Sequence, residues 1–195
     1  MGKRSDFERI ERDLYITPPE ALAPLLPFLA PRTRFLEPCA AGGELADLLE
    51  AEGHICVNAW DIEPLSDAVG QRDALEPLPA DLGAVDVIIS NTPWRRDLLH
   101  RMIVNFSDRR PTWLLFDADW IQTTQEAIAK KHGVPTVPEL FARCRRIVPV
   151  GRVKWIPGSK HAGKDNCAWY EFGAPIPGTF PVVCPPTSRR RAKAA

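Results

Sequence analysis

A chain of 195 residues, 45% of them hydrophobic and 26% charged, is long enough to bury the core of one domain and has an ordinary globular composition. Its 25 basic residues balance 25 acidic ones, which excludes a global field drawing it onto nucleic acid and leaves that task to local basic patches. Five scattered cysteines without a CxxC pair exclude a disulfide framework and predict free thiols in a reducing cytoplasm, and neither a membrane span nor a leader is expected behind the charged start MGKRSDFERIERD.

Residues 1–13 are expected to form a polar arm. Thr17-Pro18-Pro19-Glu20 then opens a helix, with Thr17 as its cap, Pro18 at its first position and Glu20 three residues after the cap. ALAPLLPFLA has the apolar content of a buried helix, shortened or kinked by Pro24 and Pro27. TRFLEP is a strand that runs into the small-residue loop CAAGG, and ELADLLEAEG is an amphipathic helix closed by Gly53. HICVNAWDIEP is a second strand with an acidic end, followed by the strand VDVIIS, the helix RRDLLHRMIVNF and the strand TWLLFDADW. QTTQEAIAKKHG is a helix with its own glycine stop, and strands follow at RRIVPV, GRVKWI and CAWYEF. Twenty prolines act as punctuation between these elements, and residues 174–195 are an extended, proline-rich basic tail.

Strands and helices alternate through the middle of the chain, and paired strands finish it. The pattern predicts one three-layer α/β domain over residues 14–173, with a mostly parallel sheet and an antiparallel C-terminal edge hairpin. In such sheets ligands lie beyond the carboxyl ends of the strands. Those ends carry Glu37-Pro38-Cys39-Ala40-Ala41-Gly42-Gly43, then Asp61-Ile62-Glu63, then Asp73-Ala74, and finally Asn91-Thr92-Pro93-Trp94. Small residues between strand and helix let a ligand approach the backbone. An acid eighteen positions beyond Gly43 is placed to hold ribose hydroxyls, although alone it reads equally as a solvated loop.

Together, EPCAAGG, WDIEP, RDAL and NTPW, in this order, resemble the S-adenosylmethionine-dependent methyltransferases that modify amino groups, whose last motif is Asp or Asn, Pro-Pro and an aromatic. The resemblance covers residues 14–172 and implies a Rossmann-like methyltransferase fold with S-adenosylmethionine as cofactor. It implies that Asn91 and the carbonyl of Thr92 accept the two hydrogens of an exocyclic amine. That nitrogen's lone pair is otherwise delocalised into the base ring, and positioning frees it for attack without a strong general base. Pro93 would set the backbone and Trp94 would stack on a base flipped out of a duplex. For the cofactor, the resemblance implies Glu37, Pro38, Ala41 and Gly43 near the methionine moiety, Asp61 and Ile62 at the ribose, and Asp73 with Ala74 at the adenine. Tyr15-Ile16-Thr17-Pro18 is similar to the Thr-Pro element of the adenine-methylating subgroup, near the methionine carboxylate.

Two positions depart from the family pattern. Ala41 stands where a glycine is usual, and Thr92 where the first proline is usual. They make a cofactor- or nucleic-acid-binding module without turnover the rival of a different class. RNA bases and protein glutamine are the rival acceptors within the methyltransferases. A nicotinamide enzyme gives NTPW no role, and the four histidines show no metal-binding spacing. Nucleic acid, DNA first, is favoured by basic groups interleaved with aromatics in KWIPGSKHAGKDNCAWY: Lys154, Lys160, His161, Lys164 and Asn166 beside Trp155 and Trp169, together with Arg95 next to Trp94. Trp169 reads better as core. This carboxyl-terminal segment resembles small phage and prophage adenine methyltransferases. No separate recognition domain is discernible, so modest specificity, a single-stranded target, or a specificity partner or homodimer are all open.

Overall fold

The computed structural model describes residues 14–156 and 158–186; the expected arm at 1–13 and the arginines of the tail at 189–191 lie outside the described residues. Helix α1 is Pro19–Leu22, followed by a 3-10 turn at Leu26–Phe28. The cap expected at Thr17 is displaced by one residue. Pro18 is the N-cap, without a side-chain cap bond, Pro19 takes the first helical position, and Thr17 is buried instead. Strand β1 (Arg34–Glu37) leads to α2 (Glu44–Ala51), β2 (Ile55–Asp61), the two-residue β3 (Gly70–Gln71) and β4 (Val87–Ser90). Then come α3 (Arg96–Ser107), β5 (Thr112–Asp117), α4 (Glu126–His132) and α5 (Val137–Phe141). Strands β6 (Cys144–Gly151), β7 (Cys167–Phe172) and β8 (Val182–Val183) complete the order.

Among the described residues the sheet has eight strands in the order β3-β2-β1-β4-β5-β7-β6-β8. β7 is antiparallel to both β5 and β6, and the other pairings are parallel. Period-two alternation sends successive residues of the central strands to opposite faces. Ile88, Leu114, Phe116 and Tyr170 join α3, α5 and Trp120 on one face. Val87, Ile89, Trp113, Leu115 and Trp169 join α1 and α2 on the other. Helices thus cover both faces, and the expected three-layer α/β arrangement is what forms. Among the described residues, no helix is long and apolar enough to cross a membrane.

Other segments also differ from expectation. β5 stops at Asp117, and Ala118–Gln122 turns as a 3-10 helix that drops Trp120 into the core, where its indole N–H donates to His100 Nε2 at 3.0 Å. RRIVPV and GRVKWI are not two strands. β6 ends at Gly151, whose φ of 82° terminates the extended run, and residues 152–166 form the connection to β7. Part of the tail is built into the sheet, because Val182–Val183 pairs with β6.

Candidate functional site

The loop after β1 is stitched to the end of β2. Ala40 N donates to Trp60 O at 2.8 Å, Leu65 N to Ala41 O at 3.0 Å, and Ala41 N to Asp61 Oδ2 at 2.9 Å. The other oxygen of Asp61 accepts from Glu63 N at 2.9 Å. The buried Asp61 carboxylate therefore organises the loop backbone, a role beside the ribose contact that the resemblance implies. Gly43 caps α2 with φ at 101°, and Ala41 sits at φ 52°, a left-handed conformation that costs an L-residue roughly 1–2 kcal/mol. Ala41→Gly is therefore expected to raise stability in urea unfolding by about 0.5–1 kcal/mol after the added chain entropy of glycine. A lower unfolding midpoint would show that Ala41 is unstrained.

Glu37, last in β1, is buried beneath this loop, and its Oε2 has no hydrogen-bond partner. Burial pushes its carboxyl well above the ordinary 4.5; the Ala46 amide at the start of α2 opposes that, and Glu44, Asp61 and Asp47 reinforce it by repulsion. A raised carboxyl favours the folded state most below pH 4.5, and this contribution is lost as pH rises through the folded-state value. Glu37→Gln is expected to be more stable than wild type at pH 7, with the difference vanishing towards pH 4.5 in paired thermal melts. A difference independent of pH would sink this assignment.

At the end of β4 the chain leaves the sheet as Asn91-Thr92-Pro93-Trp94. Asn91 Nδ2 donates to the carbonyl of Tyr15 at 3.0 Å, which joins the YITP segment to the NTPW loop. One of the two amide N–H groups is engaged in this way; Asn91 retains its second N–H and Oδ1, and among the described residues that oxygen accepts no hydrogen bond. Thr92 is buried, with Oγ1 unpartnered. Trp94 is half-buried and meets Trp155 edge to face at 5.8 Å and 82°, and Tyr15 lies 6.1 Å from the same Trp155 ring. Gly163 makes room for this packing, since a Cβ there would fall 2.8 Å from Trp155 Cδ1. Trp155 is the aromatic residue that sequence reasoning quoted without assigning to the site; its signal was its place among the loop lysines.

The other expected residues are distributed unevenly. Pro38 and Ala74 are buried, Ile62 is exposed, and Asp73 Oδ1 accepts from Leu75 N at 2.8 Å, holding its own turn. Lys154, Lys160, His161, Lys164 and Asn166 are exposed on the β6–β7 connection. Arg95 is exposed and pairs with Asp97 at 2.7 Å. Several other arginines are engaged within the chain: Arg96 with Asp117, Arg143 with Asp108, and Arg110 with the Val85 carbonyl. Trp169 is core, with its indole N–H donating to Ala21 O at 2.8 Å. A cavity of about 560 Å³ lies between the 16–20 segment, the start of α2 and Lys154–Ile156. Its walls are Thr17, Glu44, Asp47 and Trp155 among others, and Asn91 is not one of them.

No protein-family model matches the chain, and no curated protein matches it. Solved structures do match. A candidate RNA methyltransferase from Pyrococcus horikoshii aligns with a TM-score of 0.53 and 15% identity over 89% of this chain and 93% of that one. A candidate class I S-adenosylmethionine-dependent methyltransferase from Listeria monocytogenes gives 0.56 and 14% over 94% of this chain and 69% of that one. The methyltransferase subunit of a type I restriction-modification system from Streptococcus thermophilus gives 0.54 and 9% over 82% of this chain and 44% of that one. The fold is that of the class I methyltransferases.

Proposed function

We propose that this protein transfers a methyl group from S-adenosylmethionine to an exocyclic amino nitrogen of a nucleobase, adenine N6 in DNA first among the acceptors. The observation that supports the reading is the Asn91–Tyr15 hydrogen bond, which holds the Asn91 side chain at the end of β4 by one N–H and leaves its oxygen available to accept. Oδ1 of Asn91 and the backbone carbonyl of Thr92 accept the two amino hydrogens. They thereby draw the nitrogen from planarity and localise its lone pair. Trp94 and Trp155 offer aromatic surfaces for a planar base, and exposed Lys154, Lys160 and Lys164 on the neighbouring loop suit a phosphate backbone.

The residues around the β1 loop fit a cationic cofactor. Glu44, Asp47 and Asp61 give this region negative potential, and Glu37, its carboxyl pushed up by burial, has one oxygen without a partner. Ala41 and Gly43 would form the backbone beneath the group, Asp61 and Ile62 would face its ribose, and Asp73 and Ala74 its adenine. When bound, S-adenosylmethionine supplies an electrophilic methyl group on a positively charged sulfur. The protein's contribution is to hold the acceptor nitrogen in line and to exclude water.

Nucleoside mass spectrometry on DNA and RNA from a methylation-deficient bacterial host tests the reading. N6-methyladenine in DNA with wild type, and none with Asn91→Ala, is the expected result. A mark confined to RNA would replace DNA with RNA as substrate. No mark in either, from soluble cofactor-binding protein, would overturn nucleobase methylation.

A further inference from the structure

The NTPW loop has neither strand nor helix pairing of its own, yet its acceptor groups must be held in place. The geometry points to Arg96 and Asp117 as a positioning clamp for this loop, an inference that rests on the proposed methyl transfer. Arg96 opens α3, two residues after Trp94, and its side chain folds back rather than outward. Nη1 donates to the Trp94 carbonyl at 2.8 Å, and Nη2 donates to both oxygens of Asp117 at 2.9 and 2.7 Å. Both side chains are largely buried, at 15% and 12% exposure.

Asp117 is a firm anchor. It closes β5 in register with Cys167 of β7, and its own carbonyl accepts from the buried Tyr170 hydroxyl at 3.1 Å. The chain of bonds runs from β7 through Asp117 and Arg96 to the peptide that follows Trp94. That peptide fixes the direction of the Trp94 ring and, through Pro93, the carbonyl of Thr92. A rigid planar guanidinium can bridge a carboxylate and a carbonyl at once; a lysine ammonium, smaller and on a flexible stem, does this poorly. Neither residue is placed against the reacting atoms, so both are positioning residues.

A buried ion pair can often be replaced by apolar groups without loss of stability, whereas removing one partner leaves a costly unpaired charge. This separates positioning from mere structure. The double variant Arg96→Met/Asp117→Leu is expected to melt within a few degrees of wild type, with cofactor Kd and acceptor KM within about twofold. Its kcat is expected to fall about 10- to 100-fold, the scale on which small misplacement of reacting groups acts. Arg96→Lys, which keeps the charge pair, serves as the second variant and is expected to lose kcat in the same direction.

Amide hydrogen exchange at residues 91, 92, 94 and 95 gives a readout independent of turnover, expected to be about tenfold faster in the variants with the 40–43 loop unchanged. Folded variants with wild-type exchange across 91–95 would overturn the clamp, whether or not the protein transfers methyl groups. Wild-type kcat despite faster exchange would overturn its catalytic relevance. Absence of transfer by wild type, with exchange changed as expected, would remove the proposed reaction and leave the clamp.

Discussion

Asn91→Ala is expected to slow methyl transfer by about 10²–10³-fold while leaving cofactor affinity within about twofold, as measured by single-turnover methyl incorporation beside calorimetric cofactor titration. The magnitude follows from the loss of one fixed polar partner that acts on a reacting group whose charge changes in the transition state. Thr92 contributes a backbone carbonyl, which no side-chain substitution removes, so the residual rate is finite. Asn91→Asp retains an acceptor oxygen but loses the donor that binds the Tyr15 carbonyl. It is expected to fall between wild type and alanine. Parallel losses of cofactor binding and turnover in Asn91→Ala would show instead that Asn91 supports the fold of the crevice.

Trp169→Ala is expected to cost about 3–5 kcal/mol in urea unfolding, the range for truncating a fully buried indole. Trp169 lies in β7 and packs with Trp113, Leu115 and the α1–α2 layer, and its indole N–H binds the carbonyl of Ala21 in α1. Trp169→Phe retains most of the apolar volume and removes the donor, so about 1 kcal/mol is expected from the lost bond. The Phe variant should also loosen the segment leading into α1, which contains Tyr15 and Thr17, and so weaken cofactor binding slightly. An alanine variant within 1 kcal/mol of wild type would mean that the layer repacks around the cavity.

The central fold was legible because its signals are local. Apolar runs at β1, β4 and β5 end in polar or small residues, and helices stop at glycines, as at Gly53 and Gly133 with φ of 86° and 63°. The elements that escaped depend on tertiary pairing. β3 is two exposed residues whose strand character comes from β2 alone, and β8 exists because β6 offers an unpaired edge. Helix α5 did carry a local signature, the capping box of Thr136 and Glu139, which proline-rich surroundings masked.

At the site, the order of strand-end motifs is readable from spacing, but the choice of partner for each charge is not. Arg95 and Arg96 are adjacent in sequence, yet one is exposed and the other crosses to Asp117, because Arg95 is the extended N-cap outside α3 and Arg96 is the first residue of the helix. Similarly, Trp155 and Trp169 lie in one stretch, but the first borders the crevice and the second fills the core.

The bond between Asn91 and Tyr15 spans 76 positions of sequence. Contacts of such separation form only after the intervening chain has been organised, since loop closure precedes the energy that rewards it. The β1 loop and the end of β2, by contrast, are joined over 20 positions. A chain still folding can therefore assemble its glycine turn and acidic strand end before the amide at β4 is oriented. On the proposed reading, alignment of the acceptor is a late property of folding, and a partly folded chain with its glycine turn already in place has no oriented Asn91 amide.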